Sequence, residues 1–550
     1  TRMNDQSAAV AVAPAITKDA ETVDVVIIGA GFSGLYAIHR LRGAHSLVCF
    51  EAGEGVGGTW FWNRYPGARV DIQSMEYSYG FDDDLQQDWH WPELFSAQPV
   101  LERYANHVAD RFDLRDSIRF STRVTSLAFD ESANLWHVRT DKGDHVVCRH
   151  VFAASGALTA PNTPPWPGRE SFKGQIIHTA AWPREGVDFT GKRVGFIGTG
   201  STGIQAMPII AEQAAHLTVF QRTPAFCMPS GNGPLDPAFE REWKADYADR
   251  RRRMLDTWGT SLIQYTDKSA LDCTPEEREK ILEAAWNSQS AFQLLVAFQD
   301  VMTDQRANDI VAEFARNKIR AIVKDPEIAE KLCPTTYPIG GKRLCIGNGY
   351  FEMFNRDNVT LVDVRNAPIE AFTEKGLRTA AGEYELDIIV TATGFDAITG
   401  ALARIDVTGL GGRKLADKWV NGPTTWLGAM VAGFPNFFMI HGPMTPAAQA
   451  QMITSGEWQV DWVARMIDDL EAKGQTRIDT TTAAEDEWAA ELNGAADYSL
   501  HKLADSWYNG KNIAGKKGGV MIYIGGVLCP RPGGGGGAAP GARGGPGVQK

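Results

Sequence analysis

Two glycine-rich fingerprints, Gly29-Ala-Gly31-Phe-Ser33-Gly34 and Gly198-Thr199-Gly200-Ser201-Thr202-Gly203, constrain this chain more than any other feature. Each follows a short apolar run, Val23 to Ile28 and Arg193 to Ile197, and each opens a stretch with helical spacing, Phe32 to Leu41 and Ile204 to Ile210. In that strand-turn-helix setting glycines permit a tight turn and let a pyrophosphate approach the helix N-terminus. A lone GxGxxG carries little weight, but here a second strand follows each helix, which completes the context the motif requires. The expected fold is α/β, with two Rossmann-like dinucleotide-binding domains built on parallel sheets flanked by helices.

The strands that follow differ at their ends. Leu47 to Phe50 leads into Glu51, a carboxylate placed to accept hydrogen bonds from an adenosine ribose. Leu217 to Gln221 leads instead into Arg222, whose guanidinium can pair with a 2′-phosphate that a carboxylate would repel. A solvated surface arginine is the plainer reading of the same residue. Two dinucleotides held by one chain point to a flavin reduced by a nicotinamide, and the second site has the character of an NADPH site. Downstream of the first helix, Gly57-Gly58-Thr59-Trp60 to Tyr65-Pro66-Gly67-Ala-Arg69-Val-Asp71 packs glycine, aromatics and charge into one loop. Burying Arg and Asp beside aromatics is costly without a purpose, and the loop is close enough to the first fingerprint to reach a flavin ring.

Composition removes other classes. The chain has 550 residues, long enough for two or three cores. A net charge of -12 argues against a nucleic-acid partner, which leaves a basic footprint. The seven cysteines are scattered and form no CxxC pair, so neither a disulfide framework, a metal site nor a redox dithiol is expected, and a cytoplasmic setting fits. No apolar stretch reaches the length of a membrane span. Residues 1–20 read as a disordered leader and 531–550 as a Gly-rich low-complexity tail that buries too little apolar surface to offset its ordering entropy.

Between the fingerprints lies Phe172-Lys-Gly174-Gln-Ile-Ile-His178-Thr-Ala-Ala-Trp182-Pro183. With this run and the Gly57 to Asp71 loop in view, the chain resembles a type I Baeyer-Villiger monooxygenase, a flavoprotein that inserts an oxygen atom of O2 beside a ketone carbonyl. The family pattern FxGxxxHxxxWP is met at Phe172, Gly174, His178, Trp182 and Pro183, and GGxWxxxxYPGxxxD from Gly57 to Asp71. The resemblance spans about residues 20 to 527 and is strongest to phenylacetone and steroid monooxygenases.

That resemblance implies FAD on the first fingerprint, with Glu51, Thr59, Trp60, Asp71, Tyr77 and Val124 around it and Arg69 on the same loop. It implies NADPH on the second, with Arg222, Thr223 and Lys342 at its phosphate and Trp507 on a loop that folds over it. Arg343 matches the catalytic arginine and Asp71 the acid that contacts it. A permanently charged guanidinium suits a reaction that runs through an anionic flavin peroxide and an oxyanion adduct of the ketone. His178 and Trp182 are read as structural rather than chemical, in a linker between the domains. Pro443 to Gln449 aligns with an active-site bulge in which Gln449 is polar.

The expected plan is a first FAD segment over 21–158, an NADP domain over 159–393 with a helical insertion at about 237–325, and a second FAD segment over 394–530. The run Asp387 to Asp396 is expected to return the chain to the FAD domain as a flavin-contacting strand. A monomer acting on a ketone and O2 is expected. A flavin-dependent N- or S-oxygenase is the nearer alternative, although such enzymes usually lack the Trp182-Pro183 pair. A disulfide reductase would need the missing cysteine pair, and a catalytically silent NADP-responsive binding protein would have no use for Arg343 and Asp71.

Overall fold

The structure, a computed structural model, describes residues 20–446, 449–513, 515–526 and 548–549. Residues 1–19 of the expected 1–20 leader and nearly all of the Gly-rich tail therefore lie outside the described residues. Two sheets organise the rest. The first has eight strands, in the order Asp406–Thr408, Val124–Asp130, Leu135–Thr140, His145–Ala153, Glu21–Ile28, Leu47–Phe50, Ile118–Arg119, with Phe437–Met439 also paired to His145–Ala153. Its centre is parallel: Ile27 lies opposite Cys49 on one side and Phe152 on the other. Val25, Val26 and Ile27 are fully buried, as a strand covered on both faces requires. Val124 to Ala153 departs from the parallel plan as an antiparallel meander.

The second sheet is parallel throughout, in the order Val359–Asp363, His216–Gln221, Arg193–Ile197, Ile388–Thr391, Gln175–His178. Two expectations are corrected here. The run around Ile388 does not join the sheet of the first unit; it sits inside the second sheet, bonded to Arg193–Ile197 and Gln175–His178. Apolar content identifies a strand but not its sheet, and the crossing comes only after Thr391. Likewise the His178 motif is not a free linker, because Gln175–His178 is the edge strand of that sheet. Gly174 is required there: a Cβ would lie 2.3 Å from the Asp387 carbonyl oxygen and 2.5 Å from the Phe172 ring. Trp182 is buried and packs on Phe189, the structural role expected of it.

The stretch expected to be helical forms Pro237–Ala245, Tyr247–Leu255, Pro275–Trp286, Ala291–Leu295 and Gln305–Ile322, followed by Pro326–Leu332. Thr274 and Glu277 form a reciprocal capping box at the start of Pro275–Trp286. Although these helices interrupt the second unit in sequence, their aromatics Trp243, Tyr247, Trp286 and Phe292 belong to the same apolar core as Val25, Leu35 and Phe152 of the first. The second sheet has its own core around Phe196, Ile204 and Val390. The insertion thus roofs the junction between the units.

Candidate active site at the junction of the two units

The two fingerprints adopt the same geometry. Gly29 has φ +100° and Gly198 φ +112°, values open to glycine, and a Cβ on either would lie within 2.6 Å of the carbonyl oxygen of Ala154 or Ala392. A Cβ on Gly34 or Gly203 would strike the Gly29 or Gly198 carbonyl, so the third glycine sets the close packing of helix on strand. Around the Cβ position of the middle glycine Gly200 nothing beyond its chain neighbours lies within 4 Å, which leaves that face open to a ligand. Helices Phe32–Leu41 and Ser201–Gln213 begin at Gly31 and Gly200 with no side-chain cap and no acid in the first turn. Their first N–H groups are therefore available to an anion, where other helices spend theirs on caps such as Asp82 and Asp325.

Around the first fingerprint, Glu51 is buried and accepts 2.7 Å bonds from Ala30 N and Gly53 N, tying the turn to the strand end. Burial raises its pKa against the pull of those two donors. Ser33 lies in the first helical turn, its hydroxyl beside Gly456, and buried Val124 opens the strand Val124–Asp130. Thr59 starts the short helix Thr59–Trp62 at the surface, and Trp60 donates its indole N–H to the Tyr77 hydroxyl at 3.1 Å. Burial pushes the Tyr77 pKa up to about 12. Arg69 is engaged elsewhere: its guanidinium donates to the Phe95 carbonyl at 3.2 Å and lies 3.5 Å from Glu93.

Asp71, at the end of that loop, meets Arg343 from the second unit. Nε and Nη2 of Arg343 both lie 2.9 Å from Oδ2 of Asp71, and the guanidinium sits 4.8 Å from the centre of the Phe292 ring. Burial by itself would weaken the cation, but the Asp71 carboxylate outweighs it and holds the Arg343 pKa above its ordinary value. Pairing makes such a buried charge tolerable. Tyr508, which the sequence reading passed over in favour of its neighbour, is buried beside the pair; its pKa is pushed up to about 12 by burial, against the opposing charge of Arg343. Trp507 is half-buried and packs edge-on against Tyr508 at 4.6 Å. A cavity of about 470 Å³ reaches Asp71 and Phe292, with Gln73, Glu76, Leu262 and Gln293 also in its wall.

In the second fingerprint Thr199 donates to the Thr223 carbonyl at 2.8 Å, Ser201 lies 3.2 Å from the Cys345 sulfur, and Thr202 is beside the Tyr65 hydroxyl. Arg222 is exposed at the strand end as expected. Lys342 stands with its ammonium 5.0 Å from the Tyr337 ring centre, and its pKa is lowered to about 8 by burial and then by Arg222 and Arg365. Arg365 was not among the sequence-derived candidates. It donates to the Arg222 carbonyl and to the Thr223 hydroxyl, both at 3.1 Å. Its signal was available, since it follows strand Val359–Asp363, the neighbour of the strand that ends at Gln221. Arg222 and Arg365 crowd the Lys342 ammonium with like charge, a repulsion that a bound phosphate dianion relieves.

His178 makes structural bonds. Its Nδ1 accepts from Ala180 N at 3.1 Å, and Nε2 lies 3.3 Å from the Asn162 carbonyl and 3.5 Å from the Thr393 hydroxyl. Asn162 and Thr393 belong to the two segments that cross between the units, and burial lowers the His178 pKa, favouring the neutral ring. Gln449 bonds to His501 at 3.1 Å and does not line the cavity; residues 447 and 448 of its bulge lie outside the described residues. Among the described residues no group of three or more His, Cys, Asp or Glu is arranged to hold a metal.

Residues 22–233 match the flavin-binding monooxygenase-like family model. Over 519 residues the chain is 44% identical to a Baeyer-Villiger monooxygenase of Pseudooceanicola batsensis, covering 93% of this chain and 94% of that protein. Phenazine N-monooxygenase PhzNO1 of Lysobacter antibioticus is 38% identical over 93% of this chain and 94% of its own length. Among solved structures, oxidized steroid monooxygenase bound to NADP superposes with a TM-score of 0.88 at 49% identity, over 92% of this chain and 95% of that one. The chain belongs to the flavin-binding monooxygenase-like family, as a type I Baeyer-Villiger monooxygenase.

Proposed function

We propose that this chain is an NADPH- and FAD-dependent enzyme that converts ketones to esters or lactones with O2. The observation that carries the reading is the Arg343–Asp71 pair, which joins the two dinucleotide-binding units at the edge of a cavity. FAD fits the first fingerprint, where Gly29, Gly31, Ser33, Gly34, Glu51 and Val124 would hold its adenosine and pyrophosphate, and Thr59, Trp60, Asp71 and Tyr77 would lie by its ring. NADPH fits the second, with Gly198 to Gly203 at the pyrophosphate and Arg222, Thr223, Lys342 and Arg365 at the 2′-phosphate. In this reading residues 21–158 and 394–530 form the FAD domain and 159–393 the NADP domain. The relatives support it by their names, a Baeyer-Villiger monooxygenase and a steroid monooxygenase bound to NADP.

When bound, FAD reduced by NADPH would pass two electrons to O2, so that one oxygen atom enters the ketone and the other leaves as water. Arg343 supports negative charge on the oxygen that attacks and on the ketone oxygen once attacked, with the charge fixed in place before reaction. Asp71 holds the guanidinium at its place and offsets its burial. Tyr508 and Phe292 pack beside Arg343 and help fix its place. The Lys342 cluster binds the phosphate, and Trp507 closes over the nicotinamide half. A cytoplasmic setting and a monomeric state belong to the same reading, the setting supported by the described cysteines all being free; among the described residues no helix is long and apolar enough to cross a membrane.

The test is aerobic turnover of flavin-loaded protein with NADPH and 18O2 on panels of ketones, amines and sulfides, read by mass spectrometry. An ester or lactone with a single added 18O supports the reading. Oxygenated amine or sulfide without ester replaces it with N- or S-oxygenation, and a protein that binds no flavin defeats it.

A further inference from the structure

The loop that carries Asp71 belongs to the first unit, whereas Arg343 belongs to the second, so their meeting depends on how the units are held together. Both 2.9 Å contacts of Arg343 converge on a single oxygen, Oδ2. Contacts converging on one atom restrain distance better than angle, unlike a fork of two parallel bonds to two oxygens. A restraint on the angle of the loop is supplied from the second unit.

That restraint lies on helix Ser201–Gln213 of the second unit. The Gln205 side-chain oxygen accepts from the Tyr65 hydroxyl at 3.0 Å and from Arg69 N at 3.4 Å, and its amide nitrogen donates to the Arg69 carbonyl at 3.1 Å. An amide bonded to both backbone groups of a single residue fixes that residue in position and orientation. The backbone of the loop also comes down onto the helix. Gly67 has φ +79°, and a Cβ there would lie 2.3 Å from the Gln205 carbonyl oxygen and 3.0 Å from Ile209. Asp71 follows Arg69 by only two positions, with Val70 bonded to the Ser96 carbonyl between them.

We infer that Gln205 is a positioning residue whose side-chain amide clamps the Tyr65–Arg69 loop of the first unit onto the second, and thereby aims Asp71 at Arg343. The helix whose uncapped N-terminus would receive the NADP pyrophosphate also sets, two positions beyond Gly203, the place of the acid that holds the reactive arginine. This rests on the oxygenase reading for its catalytic consequence, though not for the clamp itself.

The test uses the flavin-loaded full chain with Gln205→Leu, which keeps bulk and removes the three bonds. Hydrogen–deuterium exchange over residues 65–71 should rise by about tenfold or more while the central strand Glu21–Ile28 stays protected, a local opening rather than global unfolding. Oxygenated product per NADPH consumed should fall by about fivefold or more, with hydrogen peroxide making up the difference and the NADPH KM little changed. Combined with Asp71→Ala, the double variant should lose no more than the worse single variant, because both act through Arg343. Unchanged exchange over 65–71, or losses that multiply in the double variant, overturns the inference. Should Gln205→Leu fail to fold, Tyr65→Phe removes one of the three bonds and must shift exchange in the same direction. A parent enzyme that oxygenates no ketone would sink the proposed function, while the exchange result would still decide the clamp.

Discussion

Arg343 is the residue on which the chemistry converges, and its neighbours show why an arginine is needed. It is held by Asp71, faced by Phe292 and neighboured by Tyr508, and a lysine there would lose its charge more readily on burial. Arg343→Ala is expected to cut oxygenated product by about 10²–10³-fold, the scale of losing one preorganised charge donor, while flavin absorbance and NADPH binding persist. Product yield within a few-fold of the parent would move the catalytic charge elsewhere. Arg222→Ala should weaken the preference for NADPH over NADH by about tenfold, a low-end loss for a charged hydrogen bond because Arg222 is exposed. Equal losses for both nucleotides would place the phosphate away from the Arg222–Lys342–Arg365 cluster. Binding of that phosphate should also raise the Lys342 pKa from about 8, which a pH series of NADP affinity would report as loss of affinity on the alkaline side.

At the scale of elements, the edge strand Gln175–His178 and the segment after Ile388–Thr391 are where the units are joined. His178 ties the Asn162 and Thr393 segments together, so His178→Ala is expected to slow flavin reduction by NADPH or raise the peroxide yield, without changing the reaction catalysed. Full turnover with normal coupling would show that these bonds are dispensable. Much at this scale was legible in the chain. The fingerprint glycines and the strand and helix around each are local patterns whose geometry is set within a few residues. The sheet that Ile388–Thr391 joins was not legible, since an apolar strand fits either sheet and only the pairing partners decide. Nor was it evident that the helical insertion shares the first unit's core, because helical periodicity names a buried face but not the surface that covers it.

The whole molecule is stapled by helix Met452–Ala472, which packs against helix Phe32–Leu41 of the first unit, and by Arg251 from the insertion. Arg251 is buried and donates to the Glu76 carbonyl at 2.9 Å and the Ser78 hydroxyl at 2.6 Å. Beside it Glu457 accepts from Gly80 N at 2.9 Å; burial first of all raises its pKa to about 7 from 4.5, against the pull of Arg251 and with repulsion from Asp461. A carboxyl with a raised folded-state pKa contributes stability that is fully present below 4.5 and is lost as pH rises through about 7. The melting temperature of the flavin-loaded protein should therefore decline across that window, and Glu457→Gln should flatten the decline. A parallel curve for the variant would assign the pH dependence to other groups.

What the sequence alone determined is the chemistry of the parts: two phosphate-binding turns, an acid at one strand end and an arginine at the other, an aromatic loop ending in Asp71, and the Lys342–Arg343 pair. These follow from steric and hydrogen-bonding preferences that act over a few neighbouring residues. Only the tertiary structure brought together groups far apart in the chain, Asp71 with Arg343 across 272 positions, Arg365 with Arg222 across 143, and Gln205 with Tyr65 across 140. Such meetings depend on how sheets and helices pack, which fixes the distance and angle between units and is encoded in no local segment.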